Sequence, residues 1–142
     1  MDAKPSNNSW ITIGSFDGVH LGHQALIKAL VDKAHSEKTQ ALVVTFWPHP
    51  AAFFKRASLP RALTSPEERR DLLLSFGVDE VITLPFDQSI AALTPIQFLQ
   101  RLQQDYGLKG LIIGPNTTIG RDREGTPEKL NEIGRQICVS VE

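Results

Sequence analysis

The chain has 142 residues, 15 Lys+Arg against 16 Asp+Glu, and 41% hydrophobic residues, which is length and apolar content enough for one globular core without a disulfide or metal staple. A net charge of −1, with both signs mixed, gives no general attraction to nucleic acid or to acidic membrane surfaces. The single cysteine, Cys138, excludes an internal disulfide, and no Cys/His cluster has zinc-ligand spacing, so redox and structural-zinc roles are set aside.

The stretch from Met1 to Ser9 is polar and lacks the apolar core of a signal peptide, and no apolar run approaches membrane-spanning length. A cytoplasmic protein with no membrane partner is the expectation. Trp10-Ile11-Thr12-Ile13-Gly14 is β-branched and apolar and stops at a glycine, as a buried strand entering a tight turn does. After the turn Ser15–His20, apolar residues at Leu21, Ala25, Leu26, Ala29, Leu30 and Ala34 predict one face of a helix. Ala41 to Phe46 reads as a second buried strand, ended by Pro48-His49-Pro50. A loop to about Thr64 is expected next. Ser65-Pro66-Glu67-Glu68 has the capping hydroxyl, proline and acids of a helix start, and that helix is predicted to run to Phe76 before Gly77.

Glu80 to Leu84 predicts a third strand. Thr94-Pro95 opens a helix whose Ile96, Leu99 and Leu102 share a face and which Gly107 ends. Leu111 to Gly114 predicts a fourth strand, Pro127 to Ile133 a helix, and Gln136 to Val141 a last strand. Strands alternating with helices imply a Rossmann-like α/β fold: a parallel sheet with helices on both faces, whose ligands bind beyond the carboxyl ends of the strands.

The segments to search therefore follow Gly14, Phe46, Leu84 and Gly114. Gly14-Ser15-Phe16-Asp17-Gly18-Val19-His20-Leu21-Gly22-His23 combines glycines that admit close backbone approach with a helix N-terminus suited to phosphate. His20 and His23 are three positions apart, so both rings reach the same side of the first helical turn and can donate hydrogen bonds to phosphate oxygens. A bare histidine pair is equally compatible with turn and cap residues. Likewise Phe53 and Phe54 fit core packing, Asn116 fits a turn after a strand, and Cys138 fits a buried strand. Glu67-Glu68-Arg69-Arg70 and Arg121-Asp122-Arg123-Glu124 read as solvated charge.

The Gly14–His23 segment resembles the signature of the HxGH nucleotidyltransferase superfamily, and in the form Gly-x-Phe-Asp-Gly-x-His-x-Gly-His it is similar to the adenylyltransferase domain of bacterial FAD synthetases, which are bifunctional with a riboflavin kinase. Three more segments arrive in that family's order: Thr45-Phe46-Trp47-Pro48-His49-Pro50, Pro60-Arg61-Ala62-Leu63-Thr64, and Ile113-Gly114-Pro115-Asn116-Thr117-Thr118-Ile119-Gly120. The resemblance implies a nucleotidyltransferase fold and an FMN adenylyltransferase that uses ATP with Mg2+. It implies His20, His23 and Asn116 at the catalytic centre. The ATP cradle would be Gly14, Ser15, Phe16, Gly18, His20, Gly22 and His23. The flavin site would comprise Phe46, Pro48, Pro50, Phe54, Thr64 and Ile119, the prolines stiffening the loop and aromatic faces meeting the isoalloxazine.

Two features depart from the family pattern. Thr117 and Ile119 stand where it has aromatic residues, so Ile119 offers apolar packing in place of stacking. A Ser-Ser-Thr-x-Ile-Arg segment and the riboflavin kinase domain do not follow within residues 1–142, so one adenylyltransferase-like domain without them is expected. Two other readings stay open: a catalytically silent nucleotide- or flavin-binding module, and a nucleotidyltransferase with another phosphate acceptor. No protein partner is implied.

Overall fold

The computed structural model describes residues 8–14, 21–46, 66–85, 87–114 and 125–142, the side chains of residues 21–23 and 66 excepted. Its strands are β1 Ser9–Ile13, β2 Gln40–Phe46, β3 Glu80–Leu84, β4 Leu108–Leu111 and β5 Ser140–Val141. They form an all-parallel sheet in the order β3-β2-β1-β4-β5. The helices are α1 Leu21–Ser36, α2 Pro66–Ser75, α3 Gln88–Ala91, α4 Pro95–Tyr106 and α5 Pro127–Ile137. This is the expected Rossmann-like α/β architecture.

Alternation along each strand divides the core into two layers. Ile11, Ile13, Leu42, Val44 and Ile82 face Phe98, Leu99 and Leu102 of α4 and Leu130 and Ile133 of α5. Trp10, Ala41, Val43 and Val81 face Ile27, Leu30 and Ala34 of α1 and Leu73 of α2. Central β1 is buried at all five residues: Trp10, Ile11 and Ile13 fill both core layers, and the buried Ser9 hydroxyl donates to the Tyr106 carbonyl.

Local chemistry sets the ends of the elements. The Thr94 hydroxyl and Gln97 side chain form a reciprocal capping box at the start of α4, and Gly107 closes that helix with φ 66°. Thr126 caps α5 ahead of Pro127. The short α3, which hydrophobic periodicity does not reveal, is started by Asp87: its carboxylate accepts from the Ile90 N–H and the Ser89 hydroxyl. Those bonds, with the Ile90 amide first, hold the carboxyl below its ordinary range.

Several boundaries and faces differ from the sequence reading. The inward stripe of α1 is Ile27, Leu30 and Ala34, whereas Ala25 and Ala29 are exposed; the large aliphatic side chains set the helix's rotation, because burying an alanine methyl gains little. β4 starts three residues earlier than expected, because Gly110 is a strand residue lying under the Trp10 ring. The chain continues bonded beyond it, the Ile112 N–H donating to the Ile11 carbonyl. α5 runs to Ile137 and leaves β5 only two residues. Cys138 is therefore not a buried strand residue: it is exposed and terminates α5 at φ 61°. Arg69, expected on a solvated face, is only 3% exposed, although Glu67, Glu68 and Arg70 around it are exposed.

Candidate functional site

The strand order reverses direction at β1. The chain winds from β1 through β2 to β3 on one side, then returns to place β4 and β5 on the other. At such a switch point the loops leaving two neighbouring strands diverge and open a crevice at the carboxyl edge. β1 ends into Gly14, and the chain after β4 reaches Gly114, so both glycines stand at the crevice between β1 and β4. Both are partly exposed. Gly14 is held to β2 by its N–H, which donates to the Val44 carbonyl at 3.0 Å.

Next along the chain is the N-terminus of α1, which follows β1 by a crossover and so begins at the carboxyl edge. Its first turn, Leu21–Gln24, carries Gly22 and His23 and contains no acidic residue. The free N–H groups and positive dipole end of a 16-residue helix are thus not offset by a carboxylate of that turn, a setting that favours an anion.

The structure brings Gly14, Gly22, His23 and Phe46 to the carboxyl-edge ends of three neighbouring elements, β1, α1 and β2. Phe46, the last residue of β2, is half-buried and packs its ring against Phe98 of α4, with centroids 6.2 Å apart and a tilt of 33°. The other site expectations, Ser15, Phe16, Gly18, His20, Pro48, Pro50, Phe54, Thr64, Asn116 and Ile119, lie outside the described residues, as does the His23 imidazole.

On the α1/α2 side the edge is polar. Thr12 and Thr45 are buried on β1 and β2, and the Arg69 guanidinium donates from Nη1 to Thr45 Oγ1 at 3.5 Å. The sequence reading missed Arg69. The available signal was its spacing from Leu73: residues four apart share a helix face, and Leu73 is fully buried.

A second polar network lies at the opposite, amino edge and belongs to the scaffold. Glu37 accepts from the Trp10 indole at 3.0 Å and pairs with Lys109 at 3.0 Å and Lys33 at 3.4 Å. The indole bond and then Lys109 hold its carboxyl down at about 2. Lys33, shared between Glu142 and Glu37, is correspondingly raised. Among the described residues no group of three or more His, Cys, Asp or Glu is placed to hold a metal, and no helix is long and apolar enough to cross a membrane.

Fold and edge together define a doubly wound α/β protein whose switch point lies between β1 and β4. The FAD synthetase family model matches residues 2–142, and the chain belongs to that family. It is 34% identical over 138 residues to a bifunctional riboflavin kinase/FMN adenylyltransferase of Escherichia coli, covering 96% of this chain and 44% of that one. The corresponding protein of Buchnera aphidicola is 31% identical over 139 residues, with 97% and 45% covered. An FAD synthetase of Listeria monocytogenes is 29% identical over 140 residues, with 97% and 56% covered. The chain thus spans about half the length of these curated relatives or less. A crystal structure described as a macrolide-efflux protein from Streptococcus pneumoniae superposes with a TM-score of 0.79 at 27% identity, over 95% of this chain and 44% of that one.

Proposed function

We propose that this chain is an FMN adenylyltransferase, transferring AMP from ATP to FMN. An FMN phosphate oxygen forms a bond to the α-phosphorus of ATP, the bond from that phosphorus to the bridging oxygen breaks, and FAD and pyrophosphate result. The observation that carries this reading is the match of the FAD synthetase family model to residues 2–142, a range that includes the Gly14–His23 segment.

Such a reaction needs positioning and charge stabilisation rather than a covalent intermediate. Gly14 and the segment Ser15, Phe16, Gly18 and Gly22 form the phosphate cradle, with the first-turn N–H groups of α1 behind it. His20 and His23 donate to the triphosphate as negative charge builds on the leaving pyrophosphate. Asn116, two residues after Gly114 in the chain, orients the reacting phosphates or their magnesium. Phe46, Pro48, Pro50, Phe54, Thr64 and Ile119 receive the flavin. Magnesium enters with ATP as part of the substrate, neutralising phosphate charge.

The direct test is to incubate the purified chain with FMN and Mg-ATP and separate the flavins by chromatography, beside a His20→Ala/His23→Ala control. FAD from the parent and none from the control is the expected result. ATP and FMN binding without pyrophosphate release would instead establish a silent binding module, the reading that the non-aromatic Thr117 and Ile119 favour.

A further inference from the structure

The inward stripe of α2 is Arg69 and Leu73, one turn apart. Leu73 sits in the apolar layer with Val81 and Ile27, as a core position should. Arg69 takes the equivalent position nearer the carboxyl edge, and burying a guanidinium there is unfavourable where a leucine would be favourable. It also stands in the first turn of α2, where a cation opposes the helix dipole; Glu67 and Glu68 in the same turn offset that repulsion but are themselves exposed. Packing and helix formation therefore both disfavour arginine at this place, which points to a role for its donors.

One of those donors, Nη1, reaches Oγ1 of Thr45 at 3.5 Å; Thr45 is the penultimate residue of β2 and only 2% exposed. Thr45 is in register with Thr83 of β3 on one side. On the other side, the preceding residue Val44 accepts the Gly14 N–H. Phe46 follows immediately in the chain. We propose that Arg69 is a positioning residue for the flavin side of the site: by holding the Thr45 hydroxyl it fixes the carboxyl end of β2, and with it the place of Phe46 beside the Gly14 lip. This rests on the FMN adenylyltransferase reading for its functional consequence but not for its structural one. A permanently charged, multi-donor guanidinium suits this task better than an ammonium, which offers a point charge and shifts its protonation when buried.

The test uses Arg69→Met, Arg69→Lys, Thr45→Val, Thr45→Ser and the Arg69→Met/Thr45→Val double variant of the full chain, each first shown folded by its thermal transition. FMN and Mg-ATP dissociation constants are measured separately. The expected result is a loss of roughly tenfold in FMN affinity for Arg69→Met and for Thr45→Val, with the double variant no weaker than either single one because one interaction is lost in all three. Mg-ATP affinity stays within about twofold, and Thr45→Ser, which keeps the hydroxyl, behaves like the parent. Equal loss of FMN and ATP affinity, or additive losses in the double variant, would overturn the proposal. A second readout does not depend on flavin: with 5-fluorotryptophan at both tryptophans, the Trp47 resonance, one residue past Phe46, moves in Arg69→Met and Thr45→Val while that of Trp10 stays. A parent chain that binds no FMN removes the functional reading alone, and an unmoved Trp47 resonance then overturns the positioning role.

Discussion

Trp10 and Gly110 are direct partners in the parallel β1–β4 pair, and a Cβ built on Gly110 would stand 2.4 Å from the Trp10 indole. The indole lies flat over glycine backbone, with Lys33 Nζ 5.3 Å from its ring and Glu37 accepting its N–H. Gly110→Ala must therefore push a fully buried ring away from its partners. Overpacking of this kind costs about 2 kcal/mol, and urea unfolding should show the midpoint fall by that equivalent with the slope unchanged. A variant as stable as the parent would mean that the ring has another place to lie.

Glu37 ties that ring to Lys109 and Lys33, and its carboxyl is lowered from about 4.5 to about 2 by the indole hydrogen bond first and Lys109 second. A carboxyl lowered by folding stabilises the fold while it is ionised in both states, and its contribution disappears as the pH falls through the folded value. The melting-temperature gap between the parent and Glu37→Gln should thus be largest at neutral pH, narrow below about 4.5 and close near 2. A gap that stays constant from pH 7 to pH 2.5 would remove Glu37 from this role.

The C-cap residues of α4 and α5 are both left-handed, one suited to it and one not. Gly107 closes α4 at φ 66° and Cys138 closes α5 at φ 61°. A side chain in that conformation costs roughly 1 kcal/mol, and Cys138 is exposed, so little packing is lost on removing its thiol. Cys138→Gly is expected to raise the stability by about 0.5–1 kcal/mol and Gly107→Ala to lower it by about 1 kcal/mol. Calorimetry of the pair checks the sign of each, and a destabilised Cys138→Gly would show that the cysteine side chain packs more than its exposure implies.

How much of this was legible in the sequence follows from which interactions are local. Thr94-Pro95 and Gly107 announce α4 because capping and termination depend on neighbours in the chain, and β3 was read to the residue from its β-branched run. The β4 boundary is not legible locally, because Gly110 looks like a strand terminator unless Trp10, 100 residues earlier, is known to cover it. Arg69 is hidden for the same reason: its neighbours Glu68 and Arg70 are solvated, and its burial and contact with Thr45 are tertiary. At the site, the β1 end with Gly14, the α1 first turn with His23 and the β2 end with Phe46 were legible because glycine spacing and helix onset are local signals. Their convergence needed the strand order.

The catalytic proposal makes its sharpest demand at His23. It lies in the first turn of α1, where alanine is a better helix former than histidine, and the turn has no acidic partner for an imidazolium. On helix propensity alone, His23→Ala should therefore leave the melting temperature unchanged or slightly higher. On the catalytic role it removes a hydrogen bond to charge that develops in the transition state, a loss of about 10²–10³ in turnover by analogy with oxyanion donors. The expected outcome is a steep fall in FAD formation with the melting temperature within about 2 °C of the parent, since 1 kcal/mol moves it roughly 2–4 °C in a domain near this size. His20→Ala should behave alike in activity. Turnover and stability falling together in His23→Ala would identify the imidazole as a packing group and leave the α1 N–H groups as the phosphate's donors.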